Sequence, residues 1–123
     1  FQNSILERNE FGELFHKIDV NGVFIVAHHA YVLGYAVLYA NNLSENEGYL
    51  TLIAVLPEYQ GKHIGRNLIL ACCDIAHNKG MKRLKLEVKR DNGKAIHFYL
   101  KNGFLFDSHC SDKSEYMIKL LDS

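Results

Sequence analysis

The alternation of apolar and polar positions divides this chain into short segments of changing period. Over residues 81–90 (MKRLKLEVKR), Leu84, Leu86 and Val88 alternate with Lys85, Glu87 and Lys89, which predicts a strand with one polar face. Residues 64–79 repeat at helical spacing instead. Ile64, Leu68, Ala71, Cys72 and Ile75 share a face, Arg66, Asn67, Asp74, His77 and Asn78 fall largely off it, and Gly80 stands where a helix of this kind stops. Residues 23–27 and 31–40, rich in Val, Ile, Phe, Tyr and Leu, predict two strands joined by a tight hairpin around residues 28–30. Gly34 inside the second of these indicates a bulge or a close backbone approach. A third strand is predicted over residues 49–56, stopped by Pro57, the single proline of the chain. Asn92 can cap a helix over residues 93–101 that ends at Asn102-Gly103. Residues 104–106 and 115–121 predict a final strand pair across a polar loop. At the start, Ile5, Leu6, Leu14, Phe15 and Ile18 lie among charges and predict a helix interrupted near Gly12, with a turn over residues 19–22. The expected order is helix, three strands, helix, strand, helix, two strands: a mixed sheet in an α/β (α+β) layer sandwich.

With 123 residues and neither an internal repeat nor a linker, the chain is read as one domain over residues 1–123. The net charge of zero hides an asymmetry. Residues 1–60 carry two Lys/Arg against seven Asp/Glu, and residues 61–101 carry ten against three. The second half is therefore suited to an anion and the first to a cationic partner. No compact basic run with interleaved aromatics points to nucleic acid. No continuous apolar run reaches the ~20 residues of a membrane helix, and no signal-peptide pattern opens the chain, so a cytoplasmic protein without membrane attachment is expected. Cys72, Cys73 and Cys110 make no disulfide or metal pattern and the seven histidines lack metal-ligand spacing, so no metal is expected.

The candidate chemistry starts where the third strand empties into Gln60-Gly-Lys-His-Ile-Gly65-Arg66 and then a helix. Free amides at a helix N-terminus, with the positive end of its dipole, make an anion site. Gly61 and Gly65 let backbone approach a phosphate, and Lys62 and Arg66 add positive charge. Neither a Walker A loop nor GxGxxG can be placed here. A second motif runs from Asn92 through Ala95 and Tyr99 to Gly103-Phe104, and Glu87 lies twelve residues before Tyr99.

In order and spacing these motifs resemble the Gcn5-related N-acetyltransferase (GNAT) superfamily. Its loop pattern Q/R-x-x-G-x-G/A falls on Gln60, His63 and Gly65, with histidine in place of the first glycine. Its later pattern N-x-x-A-x-x-x-Y-x-x-x-G-F falls on Asn92, Ala95, Tyr99, Gly103 and Phe104. The preceding strand matches at Ile53, Ala54, Val55 and Pro57. The resemblance implies a splayed central sheet flanked by helices, although the family's first strand is not visible in the sequence. It implies acetyl-CoA as co-substrate, its pantetheine arm along Val55 and Leu56, its pyrophosphate on the amides of Gly61, Lys62, His63, Ile64, Gly65 and Arg66, and Gln60 as a further cofactor-binding residue. It further implies Asn92 and Tyr99 as cofactor contacts, Tyr99 as general acid toward the departing thiolate and Glu87 as general base. Ion pairing with a neighbouring lysine is the other reading of Glu87. In another branch of the family the base stands on the third strand, at the position held here by Tyr49. A left-handed backbone at His63 would carry a β-carbon penalty of about 1 kcal/mol. The expected activity is transfer of acetyl from acetyl-CoA to a primary amine of a small molecule or protein, by direct attack in a ternary complex; the alternative is a non-catalytic acyl-CoA-binding sensor or interaction domain. Edge strands and tyrosines permit a homodimer.

Overall fold

The computed structural model describes residues 2–9, 12–18, 22–29, 31–42 and 44–121. Their strands are β1 (Gln2–Asn9), β2 (Gly12–Ile18), β3 (Val23–His29), β4 (Tyr31–Asn42), β5 (Glu47–Val55), β6 (Arg83–Lys89), β7 (Leu105–His109) and β8 (Ser114–Leu120). Two helices, α1 (Ile64–Asn78) and α2 (Gly93–Lys101), follow β5 and β6, and one 3-10 turn spans Pro57–Tyr59. The strands form one mixed sheet in the order β1-β2-β3-β4-β5-β6-β8-β7. Every pairing is antiparallel except β5 with β6, which the α1 crossover makes parallel. The splayed mixed sheet with flanking helices is thus observed.

The expected N-terminal helix is not. Residues 2–9 and 12–18 run as an antiparallel pair, and β2 adds to β3 from Glu13 opposite His28 to Ile18 opposite Val23. The sheet is therefore not short at this edge. Apolar pairs at residues 5–6 and 14–15 satisfy a helical stripe poorly, and Gly12 interrupts any helix. An unpaired edge of β3 offers the same backbone groups a full ladder, and such tertiary pairing overrides weak local preference. The expected turn at residues 19–21 and the hairpin tip at residue 30 lie outside the described residues.

One face of the sheet carries the core. Val23, Ile25, Ala36, Leu38, Leu50, Leu84 and Leu86 are buried beneath α1, whose Ile64, Leu68, Ile69, Cys72 and Ala76 complete the cluster with Phe104 and Met117. The alternation read in β6 is realised, with Leu84, Leu86 and Val88 buried. On the opposite face Phe24, Tyr35 and Leu52 remain 40%, 40% and 45% exposed.

Two irregularities shape β5. The β4–β5 register steps from Val37–Leu52 to Leu38–Leu50, leaving Thr51 as an extra residue. Gly34 sits where β4 has its own bulge opposite Ala27 and His28, and a β-carbon there would lie 2.7 Å from the Ala54 carbonyl oxygen. Both sequence inferences for Gly34, bulge and close approach, hold together. Beyond Tyr49, β5 parts from β6: their ladder is limited to Glu47–Arg83, Gly48–Leu84 and Tyr49–Lys85. Gly34→Ala should therefore lower stability by about 1–3 kcal/mol, the range for overpacking against atoms that must move. A denaturant titration showing no loss would mean that the two strands separate freely here.

Candidate active site

The site begins where β5 ends. Leu56 N–H donates to the Leu33 carbonyl at 2.8 Å, so ladder alternation turns the polar groups of Val55 away from β4 and toward the gap beside β6. The Val55 carbonyl accepts from Gln60 Nε2 at 3.2 Å, while Gln60 Oε1 accepts from Lys94 Nζ at 2.7 Å. Gln60 thereby ties the last residue of β5 to the first turn of α2.

Between them lies a cavity of about 350 Å³ lined by Ile53, Ala54, Val55, Gln60, Gly61, Gly65, Asn92, Lys94, Ala95, Phe98 and Tyr99. Two helices start on its wall. Neither has an acidic residue in its first turn, and α1 has no side-chain cap. Both dipoles and Lys94 therefore make the cavity attractive to an anion. The loop backbone is shaped accordingly: Gly61 has φ 82°, and His63, the cap of α1, has φ 66°. The histidine thus occupies the left-handed conformation at which glycine carries no penalty. Gly65 is constrained by packing, because a β-carbon there would come within 2.9 Å of the Phe98 ring.

Tyr99 is half-buried, edge-on to Phe98 at 5.5 Å and to Phe104 at 5.7 Å between ring centroids. Burial pushes its phenol above the usual value, so it stays protonated at neutral pH and above. Asn92 caps α2, its Oδ1 accepting from the Ala95 N–H at 3.1 Å.

The remaining residues named from the sequence are distributed differently. Ile64 turns its side chain into the core, leaving only its backbone at the helix start. Lys62 is exposed and lines none of these cavities, and Arg66 lines a second cavity between the helices. Leu56 lines a smaller hollow of about 170 Å³ with Val32, Gly34, Tyr35 and Pro57. Glu87 is outside the cavity of Tyr99. It projects from the face of β6 opposite Leu86 and Val88, in register with Tyr116. Its charge, after burial, helps to raise the Tyr49 phenol, so Tyr49, Glu87 and Tyr116 form one polar group on that face. A hydrogen bond with Cys110 is the main reason the Tyr116 phenol is pushed up to about 12, and Lys85 Nζ lies 4.1 Å from the Tyr116 ring centre. Sequence reasoning did not single out Lys94 or Phe98 as lining residues. The contacts that place them, to Gln60 and Gly65, span more than thirty positions.

The sheet order, the parting strands and the amide loop at a helix start define an acetyltransferase fold. The chain belongs to the acetyltransferase (GNAT) family, whose model matches residues 3–104. Among individual proteins, it is similar to N-alpha-acetyltransferase 30 of Schizosaccharomyces pombe, 37% identical over 57 residues, which is 46% of this chain and 38% of that protein. It is also similar to spermidine N(1)-acetyltransferase of Thermoplasma acidophilum, 34% identical over 74 residues, 60% of this chain and 45% of the relative. The chain thus matches less than half the length of each of these curated relatives. The crystal structure of the PaiA N-acetyltransferase from Thermoplasma acidophilum in complex with coenzyme A superposes with a TM-score of 0.74 at 29% identity, covering 81% of this chain and 61% of that one.

His63→Gly should raise the melting temperature by a few degrees, since it removes about 1 kcal/mol of left-handed strain. A thermal melt that instead falls would show that the imidazole makes a stabilising contact outweighing that strain.

Proposed function

We propose that residues 1–123 form a single catalytic domain that transfers an acetyl group from acetyl-CoA to a primary amine of a small molecule or protein, by direct attack in a ternary complex. The observation that carries this reading is the convergence of two uncapped or basic helix starts and the free edge of β5 on one cavity lined by Tyr99. The solved relative with coenzyme A supports the choice of co-substrate. Acetyl-CoA supplies a thioester carbonyl as electrophile.

The amides of Gly61 to Arg66 would hold its pyrophosphate, and the outward-turned edge of Val55, with Leu56 next to it, would hold the pantetheine arm as a further strand. Val55 N–H, turned away from β4, would donate to the carbonyl oxygen as charge develops there. The Tyr99 phenol gives its proton to sulfur as the carbon–sulfur bond breaks, and its raised pKa keeps that proton in place. β5 and β6 part after three paired residues, and on this reading the gap between them joins the face of Glu87 to the cavity of Tyr99. The amine enters from the Glu87 side, and Glu87 takes its proton directly or through water.

Tyr99→Phe should lower kcat by about 10²–10⁴-fold, the usual contribution of a positioned acid, while leaving the acetyl-CoA dissociation constant nearly unchanged. The acid assignment predicts a wild-type alkaline limb above pH ~10, because the phenol is raised above its usual value. Full activity of the variant across pH would remove Tyr99 from the mechanism.

Glu87→Gln should lower the rate most at low pH, where the amine is protonated, and least at high pH; an unchanged profile would leave Glu87 only its contacts with Tyr49 and Tyr116. Thiol release measured over an amine panel tests the whole reading. Acetyl-CoA binding without turnover on any amine would make the domain an acyl-CoA-binding module instead.

A further inference from the structure

The polar face of β6 carries Arg83, Lys85, Glu87 and Lys89 in turn, and their charges are not treated alike. Arg83 is neutralised by Glu47, Nε to Oε2 at 2.8 Å. Among the described residues neither Lys85 nor Glu87 has an ion-pair partner, although the two are neighbours on one face. Lys85 is half-buried and turns instead to an aromatic ring, its Nζ 4.1 Å from the centre of Tyr116. Lys85 itself pairs with Ile118, whereas Tyr116 lies in register with Glu87, so the ammonium leans along the strand toward that carboxylate. A hydrogen bond with Cys110 restrains the Tyr116 side chain. Lys85 also stands in the last β5–β6 pair, opposite Tyr49, at the mouth of the gap. A primary amine is thus held over an aromatic face, beside an unpaired carboxylate, where the two strands begin to separate.

We infer that Lys85 is an acceptor of the chain's own acetyl transfer, within one molecule, and that its amine occupies the place an external amine takes. The inference rests on the reading above, in which acetyl-CoA lies along β5 and Glu87 is the base. Glu87 takes a proton from the Lys85 ammonium, and the freed Nζ lone pair attacks the thioester carbon. The carbon–nitrogen bond forms, the carbon–sulfur bond breaks, and its electron pair leaves on sulfur, which the Tyr99 phenol protonates. The nitrogen loses a second proton, which restores the phenol through solvent, and Glu87 releases the first to water. The products are Nε-acetyl-lysine at position 85 and free CoA. Acetylation removes the charge that faces Tyr116 and Glu87, leaving both to an external ammonium.

The test is incubation of the full chain with radiolabelled acetyl-CoA and no amine, followed by mass spectrometry of its peptides. Lys85 should be labelled at least about tenfold faster than the more exposed Lys82 and Lys113, since a positioned base contributes about 10²–10⁴-fold where it acts. The rate constant should not depend on protein concentration, and Glu87→Gln should lower it with no change at Lys82. Lys85→Arg, which keeps a cation over Tyr116 but offers no nucleophilic amine, should abolish the fast label. A rate that rises in proportion to protein concentration, or label spread over the surface lysines at one rate, would overturn the inference. So would labelling indifferent to an amine that the chain turns over, since the two compete for one place. A chain that acetylates amines and leaves Lys85 unmodified would overturn this inference alone and leave the acetyltransferase reading intact. One that modifies neither Lys85 nor any amine would overturn both.

Discussion

The parallel contact between β5 and β6 ends after Tyr49 and Lys85, and the arrangement of the site depends on that ending. A sheet whose strands stay paired has no backbone groups to offer a ligand in its interior. Here the extra residue at Thr51 and the tight crossing of Gly34 over Ala54 bend β5 away, exposing the polar edge of Val55. The same bend delivers the chain to the Gly61–Arg66 loop, so the open strand edge and the amide loop are two consequences of one distortion. α1 then packs over the strands that remain paired, and its core residues hold the distortion in place.

Charge is organised on the same plan. The helix starts, Lys94 and Arg66 gather on the side where α1 and α2 approach each other, with Phe98 filling the contact that Gly65 leaves open. Glu87 and the tyrosines Tyr49 and Tyr116 lie on the other face. The helix starts and the Glu87 group thus lie on opposite sides of the sheet, on either side of the strands that part. His63 is the one strained element in the loop, and its left-handed backbone shows that the loop's shape is imposed by the fold and not by the residue.

Much of this was legible in the chain because its signals are local. Asn92 and Gly103 bracket α2, which runs over Gly93–Lys101 as expected, because caps and stops act within a turn of the residues that make them. The alternation in β6 and the stripe of α1 survive for the same reason. The motif spacing from Gln60 to Phe104 likewise led to the fold and family and to most residues of the cavity. What tertiary structure alone decided is non-local. Residues 12–18 became a strand because β3 offered an edge to pair with, and residues 2–9 paired with that strand in turn. Gln60 met Lys94, Gly65 met Phe98, and Lys119 was drawn to Asn102 across distances in sequence that no local preference spans. The separation of Glu87 from the cavity of Tyr99 is of the same kind, since the two are twelve positions apart in the chain. Which residues share a face follows from a two- or 3.6-residue period. Which faces meet depends on where strands part, and that is a property of the whole sheet.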